Sequence, residues 1–202
     1  MTGLATDLVI VDTGCANISS VYFACQRLGA NATVSRDTKL IKQAKRVILP
    51  GVGTANNAMA KLQQADLIMT LQQLQQPVLG ICLGMQLLTQ YSEEGNVDCL
   101  KIIPGKVTAM PSQTVRLPHM GWNTLSHIEP HPLLNGITKQ DYFYFVHSFV
   151  VAPSEHTIAR CHYGEDFSAL IAKDNITGAQ FHPERSGKAG AKLLDNFLKW
   201  QL

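Results

Sequence analysis

The sequence predicts an α/β fold: a central, mostly parallel sheet between flanking helices, three layers in all, passing into a strand-rich, partly antiparallel second half. Three observations predict it. Compact apolar runs at 8–11, 47–49 and 77–80 alternate with segments of helical spacing, the pattern of a doubly wound sheet. The stretch Gly80-Ile81-Cys82-Leu83-Gly84-Met85-Gln86 reads as strand, tight turn and helix. Beyond residue 92 the texture changes to short extended runs, with helical spacing returning only at the C-terminal end.

Leu8-Val9-Ile10-Val11 stops at Asp12 and is apolar throughout, as a buried parallel strand requires. A loop over 13–17 leads into a helix that Asn17 is placed to cap. Ile18, Val21, Tyr22, Cys25 and Leu28 share one face of it, and Gly29 ends it. A short strand over 32–34 and a short helix through Ala44, capped by Asp37 or Thr38, precede the strand 47–49. Helical spacing recurs around 58–64 and 67–74, and a helix-competent run over 85–90 follows Cys82. Ser92-Glu93-Glu94-Gly95-Asn96 reads as a loop, and so does 118–123 with its proline and glycine. Extended runs are expected at 100–103, 106–110, 142–151, 156–162, 168–172 and 176–181. Residues 187–202 close as an amphipathic helix with Leu193, Leu194, Phe197 and Leu198 on its apolar face.

Composition narrows the function classes. A chain of 202 residues has the length of one ordinary domain, 1–202, and a formal charge of +2 gives no argument for nucleic acid or an anionic membrane surface. No apolar run reaches membrane-spanning length, and residues 1–6 lack the basic start of a signal peptide. Five cysteines form an odd set without metal-like spacing, so a reduced, cytoplasmic protein is expected. His119, His127 and His131 have no metal spacing either; no metal and no cofactor are expected.

The chemistry centres on Cys82. Between Gly80 and Gly84, at a strand-to-helix turn, it supports two readings: a nucleophile raised clear of the sheet, or an inert buried thiol. A nucleophile there would have the Leu83 N–H facing the place where an oxyanion forms. A helix N-terminus stabilises an anion by about 0.3–1 kcal/mol, and one pKa unit is about 1.4 kcal/mol. The turn alone therefore leaves the thiol mostly protonated, and catalysis requires a histidine. Gln180-Phe181-His182-Pro183-Glu184 supplies one. Pro183 pushes His182 extended, so His182 and Glu184 project to one side and the carboxylate fixes the imidazole tautomer. The order Cys, His, Glu, with acid and base two residues apart, differs from that of α/β-hydrolases. Pro50-Gly51-Val52-Gly53-Thr54 follows a strand and reads either as a second oxyanion donor or as a plain turn. The lysine of a phosphate-binding loop is missing from it.

Gly80 to Gln86 and Phe181-His182-Pro183-Glu184 resemble the two hallmarks of class I glutamine amidotransferases. Within that class, five segments resemble the glutaminase subunits of imidazole glycerol phosphate synthases. They are Asp12-Thr13-Gly14-Cys15-Ala16-Asn17, Leu49-Pro50-Gly51-Val52-Gly53-Thr54, Leu117-Pro118-His119-Met120-Gly121-Trp122-Asn123, Tyr144-Phe145-Val146-His147-Ser148 and His182-Pro183-Glu184-Arg185-Ser186-Gly187. The likeness runs from about Leu8 to the C-terminus and leaves 1–6 as a tail; Phe149 stands where tyrosine is expected.

The resemblance implies a flavodoxin-like amidotransferase fold and a definite division of roles. Cys82 attacks the glutamine carboxamide, His182 protonates the departing ammonia and Glu184 orients His182. A glutamyl thioester forms, and water activated by His182 releases glutamate. Leu83, Gly51, Val52 and Gly53 supply the oxyanion hole. Gln86, Gly51 and the backbone of His147, Ser148 and Phe149 hold the substrate. The ammonia passes to a (β/α)8-barrel cyclase in a heterodimer whose interface includes Pro118, His119, Met120, Gly121, Trp122, Asn123, Tyr144 and Arg185. The competing readings are an amidotransferase subunit serving pyridoxal phosphate or anthranilate synthesis, a cysteine hydrolase on a similar sheet, and a binding module without activity.

Overall fold

A computed structural model describes residues 7–14, 18–111, 113 and 115–201; the tail 1–6 and the expected Asn17 cap lie outside the described residues. The chain runs through β1 (Leu8–Val11), α1 (Ile18–Arg27), β2 (Ala32–Ser35), α2 (Thr38–Gln43), β3 (Val47–Gly51), α3 (Ala55–Gln64), α4 (Ile68–Gln72), β4 (Val78–Cys82) and α5 (Leu83–Leu87). It continues through β5 (Tyr91–Ser92), β6 (Val97–Asp98), β7 (Lys106–Ala109), β8 (His119–Thr124), β9 (His127–Ile128), β10 (Tyr142–His147), β11 (Phe149–Val151), β12 (Thr157–Tyr163), β13 (Glu165–Lys173), β14 (Ile176–Ala179) and α6 (Gly187–Lys199).

The main sheet has the order β2-β1-β3-β4-β14-β13-β12-β9. Its first five strands are parallel and the remaining contacts are antiparallel. Both faces are covered, which is why its strands are apolar without alternation. Leu8 and Ile10 pack with α1 and α6 through Val21, Cys25, Leu193 and Phe197. Val9 and Val11 pack on the other side with α2 and α3 through Ile41, Ala58 and Leu62. Asp37 caps α2, its carboxylate accepting from the amides of Lys39 at 2.7 Å and Leu40 at 3.3 Å. The topology has one consequence for function. β14 arrives late in the sequence and pairs in parallel with β4, Ala179 opposite Ile81. The chain leaves these adjacent strands at Cys82 and, three residues past Ala179, at His182, so both motifs reach the same carboxyl edge.

Several elements depart from the sequence expectation. Residues 100–103 form no strand. The amides of Leu100, Lys101, Ile102 and Ile103 bond to carbonyls of Leu87, Thr89, Leu88 and Leu88, closing the C-terminal end of α5. The run 142–151 is two strands in two sheets: β10 pairs with β8 as a ribbon, while β11 pairs with β7. The loop expected at 118–123 is mostly strand, because β8 pairs with β10 over all six residues. The hairpin strands β5 and β6 flank the 93–96 turn, and α5 begins at Leu83, two residues before the expected start. Among the described residues no helix is long and apolar enough to cross a membrane.

Candidate active site

Cys82 ends β4 with φ 53° and ψ −112°, a region that side-chain-bearing residues occupy at a cost of about 1–3 kcal/mol. The strain lifts the thiol off the sheet axis at the start of α5. Gly84 makes the turn possible: a Cβ there would lie 1.9 Å from the Leu49 carbonyl oxygen, so no side chain fits where α5 crosses β3. Cys82 is 8% exposed, and its sulfur meets two groups of opposite polarity. It donates to the Val146 carbonyl at 3.9 Å and accepts from Gln180 Nε2 at 3.8 Å.

His182 is extended, at φ −98° and ψ 95°, just before the 3₁₀ turn Pro183–Arg185, as Pro183 requires. Its amide donates to the Tyr144 carbonyl at 2.9 Å. Ser186 Oγ donates to the His182 carbonyl at 2.6 Å and accepts from the Tyr144 amide at 2.9 Å. The backbone is thereby fixed to β10, and Nδ1 meets Glu184 Oε1 at 2.8 Å. Both side chains are buried, and among the described residues Glu184 Oε2 has no hydrogen-bond partner. The charge of the carboxylate is therefore directed at one neighbour. Burial pushes the His182 pKa down, but hydrogen bonds to Cys82 and Glu184 and their charges outweigh it, and the net direction is up, to about 10. The sulfur and the carboxylate on either side of the ring both favour its protonated form.

These groups open on a cavity of about 230 Å³ lined by Val52, Gly53, Cys82, Leu83, Gln86, Glu94, His147, Ser148, Phe149 and His182, with Val146. A larger cleft of about 470 Å³ between Gln72 and Ile176 is lined by no cysteine, serine or histidine and lies at the amino ends of β4 and β14. The expected residues gather closely. Gly51 sits beside Cys82 in the β3–β4 register, and the Leu83 amide, first in α5, lacks an intrahelical partner by position. Gln86 Nε2 donates to the Phe149 carbonyl at 3.0 Å, and His147 Nδ1 meets the same oxygen at 3.1 Å. Phe149 thus contributes its backbone, and the missing tyrosine hydroxyl leaves that contact untouched.

Two residues escape sequence reasoning. Glu94 lies in an unremarkable Ser-Glu-Glu-Gly-Asn loop, yet its carboxylate accepts from the Ala55 amide at 2.9 Å on the cavity wall, and burial raises its pKa. Gln180 looks like any polar residue at a strand end, but it is fully buried against the sulfur. Among the described residues no three His, Cys, Asp or Glu side chains converge as metal ligands.

The family model described as glutamine amidotransferase class-I matches residues 9–200. The chain belongs to the class-I glutamine amidotransferase family. It is 56% identical over 194 residues to the imidazole glycerol phosphate synthase subunit HisH of Haemophilus influenzae strain 86-028NP, covering 96% of this chain and 98% of that one. HisH of Idiomarina loihiensis is 55% identical over 97% of this chain and 99% of its own. HisH of Vibrio cholerae is 52% identical over 97% and 100%. The chain belongs to this HisH family as well. A crystal structure of a glutamine amidotransferase superposes with a TM-score of 0.74 at 18% identity, covering 95% of this chain and 97% of that one. A Thermoplasma acidophilum protein described as a GMP synthase subunit gives 0.69 at 17%, covering 95% and 91%, which is a likeness of fold.

In this amidotransferase the ribbon β8–β10 has two unlike faces. Met120, Trp122 and Tyr142 are 63%, 55% and 57% exposed, whereas Phe143, Phe145 and His147 point inward. Trp122 packs edge-on against Tyr144 at 6.0 Å, and the Arg185 guanidinium lies 4.8 Å over the Tyr144 ring. Pro118 is exposed, with Gly121 and Asn123 partly so. His119 does not share this face. Strand alternation turns it inward, where it stacks on Tyr163 at 4.0 Å and meets His147.

Proposed function

We propose that this chain is the glutaminase subunit of an imidazole glycerol phosphate synthase, releasing ammonia from glutamine for a (β/α)8-barrel cyclase with which it forms a heterodimer. One observation carries the chemistry: a sulfur and an imidazole backed by a carboxylate converge on one small cavity. The HisH relatives carry the choice of acceptor.

Glutamine enters with its carboxamide toward Cys82 and its α-ammonium toward Glu94, the carboxylate on the cavity wall. Gln86 and the 147–149 backbone complete the fit. The sulfur attacks the carboxamide carbon, and the oxygen takes the charge, facing the Leu83 N–H. His182 gives its proton to the amine, the C–N bond breaks, and ammonia leaves a glutamyl thioester. The acylated sulfur no longer carries charge, so the share of His182 basicity that came from Cys82 is gone. The neutral ring now takes a proton from water. Hydroxide adds, the C–S bond breaks, and glutamate departs.

A second oxyanion donor comes from Gly51-Val52-Gly53. Gly51 is wedged, since a Cβ there would lie 2.6 Å from the Gly84 nitrogen, but Gly53 has φ +94° and open space around it. A peptide turn at Val52–Gly53 would face an N–H toward Cys82, and partner binding favours that state. Ammonia released into water is lost for synthesis, so the cavity mouth should be sealed by the acceptor. The exposed Met120 and Trp122, with the half-buried Tyr144 and the Arg185 guanidinium over it, form the apolar and cationic surface such a seal uses.

The test is a titration of the purified chain with the cyclase and, separately, with a pyridoxal synthase subunit, following glutamate release. Weak activity alone and strong stimulation by the cyclase with its nucleotide ligand are expected. Trp122→Ala and Arg185→Ala should lower stimulation more than glutamine binding. No response to the cyclase, or a response only to the other protein, would overturn the acceptor and leave the glutaminase intact.

A further inference from the structure

Between the substrate wall and the nucleophile runs a chain of buried amides whose direction is fixed at one end. The Phe149 carbonyl can only accept, so the group Gln86 turns to it, at 3.0 Å, is its NH₂. The same nitrogen donates to Gln180 Oε1 at 3.0 Å. With its oxygen committed to Gln86, Gln180 has only its NH₂ left, and that group meets Cys82 Sγ at 3.8 Å. No flipped arrangement satisfies the chain. Gln180 is fully buried and Gln86 nearly so, and water does not compete for these bonds.

We propose that Gln180 is a further catalytic residue of this site: its side-chain amide donates to the Cys82 sulfur and steadies the thiolate, with Gln86 setting the direction of the amide. The inference rests on Cys82 being the nucleophile. Besides His182, the sulfur meets two polar groups that pull in opposite senses. The Val146 carbonyl favours S–H, whereas an N–H donor favours S⁻. A hydrogen bond to a charged acceptor is stronger than one to a neutral acceptor. Sulfur carries charge twice in the cycle, before the C–S bond forms and again as it breaks when water cleaves the thioester. Gln180 assists at both moments, and its bond weakens in between, when the thioester sulfur is neutral. Its position also explains a glutamine in the apolar surroundings of Ala179 and Phe181.

The test is the pH profile of Cys82 alkylation by iodoacetamide, read by mass spectrometry, beside glutaminase kinetics. Gln180→Met keeps the volume and removes the donor. Gln180→Glu keeps an acceptor for Gln86 and sets a carboxylate against the sulfur. The alkylation midpoint should rise by about one pH unit in Gln180→Met and further in Gln180→Glu, with kcat down about tenfold and KM within about twofold. In the unaltered chain, alkylating Cys82 should shift the Gln180 side-chain amide proton in a ¹⁵N-correlated spectrum. A midpoint unchanged in folded variants, or an amide proton blind to alkylation, would overturn the proposal whatever happens to kcat. Absence of Cys82 labelling in the parent chain would instead remove the nucleophile on which it rests.

Discussion

His182 and His147 line the same cavity, are both buried, and both engage Nδ1 in a hydrogen bond, yet their protonation is pushed in opposite directions. His182 is driven up, to about 10, and His147 down, to about 3. Burial opposes the charged ring in both cases and is the largest influence on each. The partners differ. His182 has a carboxylate on one side and a sulfur on the other. His147 donates from Nδ1 to the Phe149 carbonyl, so its Nε2 must accept, and it faces His119 Nδ1 at 3.1 Å. Asn123 Nδ2 reaches toward the remaining His119 nitrogen at 3.5 Å. Both rings of that pair are neutral and directional. One cavity therefore holds a ring pushed toward its charged form and a ring kept neutral. The carboxylate and sulfur beside one ring and the imidazoles beside the other, not burial, separate them.

The largest change comes from deleting the sulfur beside His182. Cys82→Ala should abolish glutamate release while the fold survives, and NMR titration should find His182 protonating at a lower pH than in the parent. A glutamine-analogue electrophile should label Cys82 alone. Burial pushes the thiols of Cys25, Cys99 and Cys161 up, to about 12, 11 and 12, which keeps them unreactive. Label on any of those three, or on Cys15, would remove the assignment.

Deleting the charged ring comes next. General acid–base help is worth roughly 10²–10⁴ in rate, so His182→Ala should lower kcat by that order. Glu184→Gln should cost less, because the amide still holds the ring while risking the wrong tautomer. Rates in the reverse order would mean the two roles are exchanged. Glu184→Gln also has a stability signature. A histidine raised in the folded state contributes stability that is complete below its unfolded pKa of 6.5 and is lost as pH passes about 10. The variant should be less stable than the parent at pH 7, by about 1–3 kcal/mol, and the gap should close above pH 10. Urea melts at pH 7 and 10.5 measure it, and a gap that stays constant would contradict the charged pair.

The two histidines also divide what the sequence discloses from what it conceals. His182 is legible because its chemistry is local: Pro183 sets its backbone and Glu184 is two residues away. Cys82 is legible for the same reason, through the glycines of its own turn. The first half of the fold follows, since β1, β3 and β4 are buried on both faces and read as uninterrupted apolar runs. His147 carries no such signal. Its partner His119 is 28 residues distant and belongs to a strand that Pro118 and Gly121 make look like a loop. Gln180 depends on Gln86, 94 residues away. The expected strand at 100–103 misleads for a related reason: Leu100 and Ile103 are buried and Ile102 partly so, but its amides serve the end of α5. Backbone groups select their partners in three dimensions, and apolar pattern alone does not reveal which.

The smallest effect on rate, and the sharpest test of the neutral pair, lies at His119. Burial pushes its pKa down to about 4 and that of His147 to about 3, against 6.5 when unfolded. As pH falls below 6.5 the unfolded chain takes up two protons at these positions that the folded chain refuses. Stability therefore declines with falling pH, each ring adding up to about 1.4 kcal/mol per pH unit until its folded value is reached. His119→Gln replaces one ring by a donor that can still serve His147 Nε2 and does not titrate. Urea unfolding between pH 6 and 4.5 should show the slope of stability against pH reduced by about one proton, with glutaminase activity at neutral pH changed less than in any of the variants above. An unchanged slope would mean that His119 takes up its proton in the folded chain, and the contrast with His182 would then rest on His147 alone.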